Sequence, residues 1–426
     1  MRIAVLALLL WSIPATALGH GRFPELGRMA FHPSDDDVIL VRGTFGLVAT
    51  DDGGATFRWV CPTVYGGRWT EDPAITIAAD GSFIVGIFDG LARGTGGGCD
   101  WGFPSTDLTD EVVIDVRAIG INYADVIVRM GLYSSAREFV GWPITPGFEV
   151  SGVVEQCGER VEAFKPGDEV VSVTLFDGYA TKLCAKEVYV FPKPVALSYA
   201  QAASLPTVFM TAWFALKELA HPRPGAKILV HSAAGGVGSS LVQLAKIMGC
   251  SVVGVVGASH KVEVAKAIGA DFVIDKSKQD LWKEAETHAP QGYDVICDAN
   301  GVATLGESYK HLRRAGKLVI YGFHTMMPKK GGKPNWLKLA SDWLRLPRFN
   351  PLDLTTDSKS VLAFNLSYLF DRTDLLEHFV SDLRQWIEEG KIQAPPVKEY
   401  PFEDVARAHA DIESGMTVGK LVLVPS

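Results

Sequence analysis

The stretch HSAAGGVGSSLVQLAK, His231 to Lys246, decides the fold. The run before it, AKILVH (Ala226 to His231), is almost wholly apolar. That is the composition of a strand covered on both faces. Ala233-Ala234-Gly235-Gly236-Val237-Gly238 then breaks the run. Beyond it Leu241, Leu244, Ala245 and Met248 fall on one helical face, and Gly249 supplies a stop. A strand, a glycine loop and a helix in succession offer unpaired N–H groups and a helix start to an anion. Gly235 lets backbone approach a pyrophosphate, and Gly238 permits close helix–strand packing. Ala233 stands where the first glycine of a G-x-G-x-x-G loop usually stands. Ala234, Gly235, Gly236, Val237 and Gly238 are therefore candidate cofactor-binding residues.

The surroundings repeat the pattern. SVVGVV (Ser251 to Val256), FVI (Phe272 to Ile274), DVICD (Asp294 to Asp298) and KLVIYG (Lys317 to Gly322) read as further strands, each separated by helix-length text. This predicts an α/β region built on a doubly wound parallel sheet. An NAD site places an acid about 20 residues past the loop, to hold the ribose hydroxyls. Here that position reads Val255-Val256-Gly257-Ala258-Ser259-His260-Lys261, with no carboxylate. A small pocket with a hydroxyl and a lysine suits a 2′-phosphate, so the expected cofactor is NADPH, held by Ser259 and Lys261.

The whole chain has 426 residues, 47% hydrophobic and 21% charged, with a net charge of −8. That length holds two or three domains. The acidic balance and the lack of a basic stripe argue against a nucleic-acid partner. None of the six cysteines forms a C-x-x-C pair. MRIAVLALLLWSIPATALG, residues 1–19, follows the order of a secretory signal, with Arg2, an apolar run and then small residues. The apolar run is too short to span a membrane.

From His20 to about Ser105 the text is turn-rich. Thr50-x-Asp52-x-Gly54-x-Thr56-Phe57 reads as a hairpin tip, in which Asp52 accepts N–H bonds across the turn and Phe57 packs into the sheet. The spacing resembles the Asp-box of sialidase-type β-propellers. A worn copy runs from Gly94 to Trp101. The expectation for 20–105 is a partial β-propeller of one or two blades, too few to close. Cys61 and Cys99 either pair as a disulfide or lie as small buried thiols.

From about Glu111 to Ser426 the chain resembles the zinc-independent quinone oxidoreductase branch of the medium-chain dehydrogenases/reductases, nearest its vesicle-amine-transport-protein-like members. The resemblance rests on Leu229-x-x-x-Ala-Ala-Gly-Gly-x-Gly-x-x-x-x-Gln243-x-x-Lys246. It is supported by INYADVIVRMGLY, TPGFEVSGVV, FKPGDEV, GYATKLCAKE, SLPTVFMTAW, AFNLSYLF and VGKLVLVP, in that order. It implies a Rossmann domain (216–344) inserted in a GroES-like, β-rich catalytic domain (106–215 and 345–426). It also implies hydride transfer from NADPH to a quinone or an α,β-unsaturated carbonyl, and a homodimer. Zinc relatives carry a cysteine and a G-H-E histidine. The matching positions are Asn122 (or Tyr123) and Phe148, and a phenyl ring cannot ligate zinc. No metal is expected.

By the same resemblance Tyr133 is the candidate donor to the substrate oxygen, with Tyr123 as the alternative. Asn122 holds nicotinamide or substrate, unless it is only a turn-capping amide. Thr211, Lys276, Gly322, Asn365 and Lys420 join the cofactor set. Lys276 adds charge where many relatives have a tyrosine. Asp168, in Pro166-Gly167-Asp168, reads as a turn residue. Met326 to Leu354 is basic and aromatic, and reads either as a solvated surface loop or as a variable insertion that shapes the substrate mouth or makes a weak membrane contact.

The two halves conflict. Relatives begin with a strand and loop before EVVIDVRA, and here the propeller segment replaces them. A fusion, or a gene model joining two coding regions near Phe103 to Glu111, explains both truncations. The competing function is an exported propeller-type binding protein with an inactive reductase passenger. The reductase part is cytoplasmic unless the signal exports the whole chain.

Overall fold

Antiparallel strands build one compact unit, Met1–Thr109, and strands alternating with helices build a second, Asp110–Ser426. The computed structural model describes residues 26–44, 46–67, 73–87, 90–105, 110–142, 144–328 and 335–425. The expected signal, 1–19, lies outside the described residues.

The first unit contains two four-stranded antiparallel meanders. One runs Leu26–Phe31, Ile39–Gly43, Gly46–Thr50 and Arg58–Val60; the other runs Ala74–Ile77, Phe83–Ile87, Gly90–Thr95 and Asp100–Ser105. Both glycine-rich stretches are hairpin tips, as the spacing predicts. In the first, Thr50 Oγ1 donates to Asp52 Oδ1 (2.7 Å), and Asp52 also accepts the Thr56 N–H (2.9 Å) and hydroxyl (2.6 Å). Gly53 and Gly54 take φ of 68° and 93°, which only glycine adopts readily. Phe57 departs from expectation. It is 56% exposed rather than packed in the sheet, and Leu40, Leu47, Phe83 and Val85 form the core instead. Cys61 is half-buried and Cys99 exposed, and their sulfurs are not bridged, so neither reading of this pair holds.

The second unit holds two sheets. A mixed sheet of seven strands runs Val190–Pro192, Glu169–Val173, Glu149–Cys157, Glu111–Ile121, Lys420–Val424 and Val397–Pro401, with Lys182–Lys186 also on Glu111–Ile121. Glu111–Ile121 is paired along both sides. Neither side of this strand is left as an open edge. The second sheet has six parallel strands in the order Phe272–Asp275, Ser251–Val256, Lys227–His231, Tyr293–Asp298, Leu312–Ile320 and Ser360–Ala363. That is the doubly wound pattern predicted from the glycine loop.

The last strand and the domain limits differ from expectation. Ser360–Ala363 pairs with Lys317–Ile320, although its sequence is short and half-exposed and carries no strand signal of its own. The helix Thr373–Glu388 buries Leu376, Phe379 and Trp386 in the core that also holds Ile228, Val230 and Leu241. The Rossmann domain thus runs on past 344, and the chain re-enters the catalytic sheet only at Val397. At the other boundary, Pro206–Trp213 and the π-helical turn Phe214–Ala220 bury Phe209, Trp213 and Leu216 in that same core. They belong to the Rossmann side and not to the catalytic lobe.

Candidate active site

The glycine loop follows directly from the strand Lys227–His231. Ser232 takes φ of 56°, a left-handed value uncommon for a residue with a side chain. This turns the chain so that Gly235 N–H donates to Ser232 O (2.9 Å) and Gly235 becomes the N-cap of the helix Gly236–Ile247. A Cβ on Gly238 would lie 2.1 Å from the Ser232 carbonyl oxygen, so only glycine allows this approach. The helix start leaves its first N–H groups without partners inside the helix. Ala233 and Ala234 are buried.

The catalytic lobe meets this loop. Gly419 N–H donates to Ala234 O (3.1 Å), and Gly235 and Gly419 form a parallel bridge. The next residue, Lys420, is 3% exposed. Its Nζ donates to Glu149 Oε1 and Asn122 Oδ1, each at 2.5 Å. Asn122 Nδ2 donates to Glu149 Oε1 (2.8 Å), and Thr207 N–H donates to Glu149 Oε2 (2.8 Å). Glu149 is fully buried. It therefore joins the catalytic sheet, the start of the Pro206 helix, the start of the Tyr123 helix and the strand after the glycine bridge. Asp125 lies beside this cluster and accepts from Asn122 N–H (2.7 Å) and Gly147 N–H (2.9 Å). Burial pushes its carboxyl up to about 7, against the pull of those N–H groups.

The side-chain amide of Asn122 is taken up by Glu149 and Lys420. The residue also starts the helix Tyr123–Arg129. Lys420 was expected to line the cofactor. Instead its head is committed to Glu149 and Asn122, and only its stem lies near Gly236. Tyr133 sits against Phe148 and Phe176, with ring centroids 5.9 and 6.4 Å apart. Its hydroxyl donates to Asn365 Oδ1 (3.1 Å) and lies 3.0 Å from Ser367 Oγ. Two residues predicted for separate roles thus touch. Burial raises the Tyr133 phenol above its ordinary value. Tyr123 lies elsewhere, edge-on to His324, with its phenol pushed up to about 12, mainly by burial. Thr211 donates to Thr207 O (2.7 Å) within its own helix. Gly322 follows strand Leu312–Ile320, where a Cβ would crowd Ala299 at 3.2 Å.

At the carboxyl end of the strand next to the loop's own, Ser259 donates to Asp275 Oδ2 (2.6 Å). Lys261 Nζ donates to Gly415 O (2.7 Å), and its ammonium is lowered by burial and by the charge of Lys276. Ser259 and Lys261 are thus engaged by Asp275 and by the Gly415 carbonyl, and the carboxylate is one the local sequence did not show. Asp168 accepts from Lys165 N–H (3.0 Å), as a turn residue should.

The position of a zinc ligand in zinc-dependent dehydrogenases is taken by other groups here. Phe148 is 8% exposed and packed among aromatic rings, and Asn122 is engaged by Lys420 and Glu149. Among the described residues no cluster of three or more His, Cys, Asp or Glu side chains is placed to hold a metal ion. The donor set at this position does not fit zinc.

A GroES-like lobe joined to a Rossmann sheet through its glycine loop defines a medium-chain dehydrogenase architecture. Residues 109–204 match the family described as alcohol dehydrogenase GroES-like domain, and 236–369 match zinc-binding dehydrogenase. The zebrafish synaptic vesicle membrane protein VAT-1 homolog is 31% identical over 313 residues, 74% of this chain and 64% of that relative. Mouse quinone oxidoreductase is 30% identical over 319 residues, 74% of this chain and 89% of that relative. The crystal structure of Escherichia coli quinone oxidoreductase complexed with NADPH superposes with a TM-score of 0.65 at 27% identity, covering 79% of this chain and 96% of that one. The chain belongs to the quinone oxidoreductase and VAT-1-like branch of the medium-chain dehydrogenase/reductase oxidoreductases.

Proposed function

We propose that the second unit is a zinc-independent NADPH-dependent reductase of quinones or α,β-unsaturated carbonyls. The observation that carries this is the Gly419–Ala234 hydrogen bond, which sets the phosphate-binding helix start beside the buried Asn122–Glu149–Lys420 cluster. Gly235 and Gly236 hold the pyrophosphate, and Lys261 and Lys276 supply positive charge for the 2′-phosphate. The bound nicotinamide supplies the hydride. Glu149 and Lys420 fix the lobe against the loop, and Asn122 is thereby held in one orientation. The aromatic wall of Phe148 and Phe176 keeps water from Tyr133. Tyr133 donates to the oxygen on which charge develops, exchanging its bond to Asn365 for one to substrate. A homodimer and a cytoplasmic reductase part belong to the same proposal. The two meanders are proposed as partial propeller blades that take no part in this chemistry.

The test is a titration of the purified chain with NADPH, followed by NADPH consumption with a para-quinone and with an enone. Binding without turnover of either class would remove the substrate assignment. No binding by folded protein would favour the competing propeller-type binding protein. Tyr133→Phe should lower kcat by roughly 10²-fold, in the range for a lost oxyanion donor, with NADPH affinity unchanged.

A second reading concerns Trp336–Arg345. Its one buried residue is Asp342, which takes the exposed Lys338 and Arg345 at 2.5 Å each, and Lys338 Nζ also donates to Thr325 O (2.8 Å). Its apolar face points outward, and Leu337 is 86% and Trp336 67% exposed. Trp343, Leu344 and Leu352 extend the exposed face. Lys329, Lys330, Lys333 and Arg348 lie nearby in sequence. Among the described residues no helix is long and apolar enough to cross a membrane. We infer a weak interfacial contact with anionic lipid. The chain should sediment with anionic phospholipid vesicles more than with neutral ones, and Trp336→Ser/Leu337→Ser should abolish the difference. A folded variant that keeps the wild-type preference for anionic vesicles would remove this reading.

A further inference from the structure

The end of the second parallel strand carries no carboxylate in sequence, yet the fold delivers one. Ser251–Val256 and Phe272–Asp275 are parallel neighbours, with Val256 opposite Asp275. Both chains leave the sheet at the same carboxyl edge, where open α/β sheets bind ligands. Lys276 N–H donates to Val256 O (3.0 Å), which ties the two exits together. Asp275 is 6% exposed. Its Oδ2 accepts the Ser259 hydroxyl at 2.6 Å, and its Oδ1 accepts the Ser277 N–H (3.0 Å) and hydroxyl (2.6 Å). These donors, Ser259 first, hold the carboxyl below its ordinary value, so it is ionised at neutral pH. Lys261 and Lys276 lie on the same rim, close enough that the charge of Lys276 lowers Lys261.

A serine hydroxyl has one proton to give. Here it goes to Asp275, so Ser259 turns lone pairs toward anything that approaches. A ribose 2′-hydroxyl can donate to those lone pairs or to the carboxylate. A 2′-phosphate meets lone pairs backed by a like charge, and is attracted only by the two lysines.

We propose that Asp275 sets the cofactor selectivity of this site. It holds Ser259 as an acceptor and biases the pocket away from a 2′-phosphate, so that NADH is taken as well as NADPH. The inference rests on the proposed function, in which the glycine loop holds a dinucleotide.

NADPH and NADH are titrated separately against the wild-type chain, Asp275→Asn, Ser259→Ala and the double variant. In Asp275→Asn the like charge is gone, and with the amide oxygen kept on the two Ser277 donors the NH2 group faces Ser259 and leaves its proton free. The NADPH-to-NADH affinity ratio should then rise by about tenfold or more. Ser259→Ala alone should change NADPH affinity by less than about threefold, because its proton is already committed. In the Asp275→Asn background the same change should remove most of the gain. A ratio unchanged within about twofold in folded Asp275→Asn overturns the proposal. If that variant does not fold, Ser259→Ala decides alone. A loss of about tenfold in NADPH affinity would show the hydroxyl already serving the phosphate and overturn it, whereas a small change upholds it. Wild-type protein that binds neither nucleotide overturns the reductase reading, and this proposal with it. Wild-type protein that binds NADPH but not NADH overturns this proposal alone.

Discussion

Lys420→Met should destabilise the second unit by about 3–5 kcal/mol, the cost of leaving a buried charge without its partner. Lys420 is 3% exposed and Glu149 is fully buried. Once the ammonium is removed, Glu149 keeps only the Asn122 amide and the Thr207 N–H at 2.8 Å as donors. Neither carries a full positive charge. Methionine fills the stem's volume, so packing loss is small and the effect is electrostatic. Urea unfolding followed by tryptophan fluorescence measures it. Glu149→Gln in the Lys420→Met background should recover part of the loss, because the double variant buries no net charge. A single-variant loss below about 1 kcal/mol would mean that water reaches the pair and that it behaves as a surface ion pair. NADPH binding should weaken in parallel, since the strand bearing Lys420 also carries the Gly419 bond to the loop.

The second large effect separates two glycines of one loop. Gly238→Ala places a Cβ 2.1 Å from the Ser232 carbonyl oxygen and 2.9 Å from the Ala233 Cα. Both neighbours are backbone, so the helix Gly236–Ile247 must move off its strand. Overpacking of this kind costs about 1–3 kcal/mol, and cofactor binding should be lost with it. Gly235→Ala meets its nearest atom, the same oxygen, at 3.3 Å, and Gly235 has φ of −87°, which alanine accepts. Its stability should change by less than about 0.5 kcal/mol, as for a site without strain. Under the proposed function its Cβ would stand in the path of the pyrophosphate, so NADPH affinity should fall by about tenfold or more, roughly 1.4 kcal/mol. Thermal unfolding and cofactor titration of both variants give the contrast. Equal loss of stability in the two would show that the loop is a packing device rather than a phosphate cradle.

The glycine loop was legible because its chemistry is local. A strand, a helix start and the glycines between them lie within one short run of chain, and their spacing states what they do. Five of the six parallel strands were legible for the same reason: buried strands are apolar without interruption. Ser360–Ala363 was not, because its place is set by pairing with Lys317–Ile320 and not by its own composition. The limits of the Rossmann domain were misplaced because Phe209, Trp213, Leu376 and Phe379 are apolar in either lobe, and only the packing says which.

The candidate site shows the same division. Sequence by itself located the glycine loop between strand and helix and the phenylalanine where a zinc ligand would stand, and it named Ser259 and Lys261 as candidates. Tertiary structure alone decided that Glu149, Asn122 and Lys420 share one buried cluster, and that Asp275 reaches Ser259 from the neighbouring strand. A parallel sheet aligns the ends of strands that are distant in sequence, and a discontinuous lobe brings its last strand back to its first. Contacts made that way depend on chain closure in space, and no local pattern of residues records them.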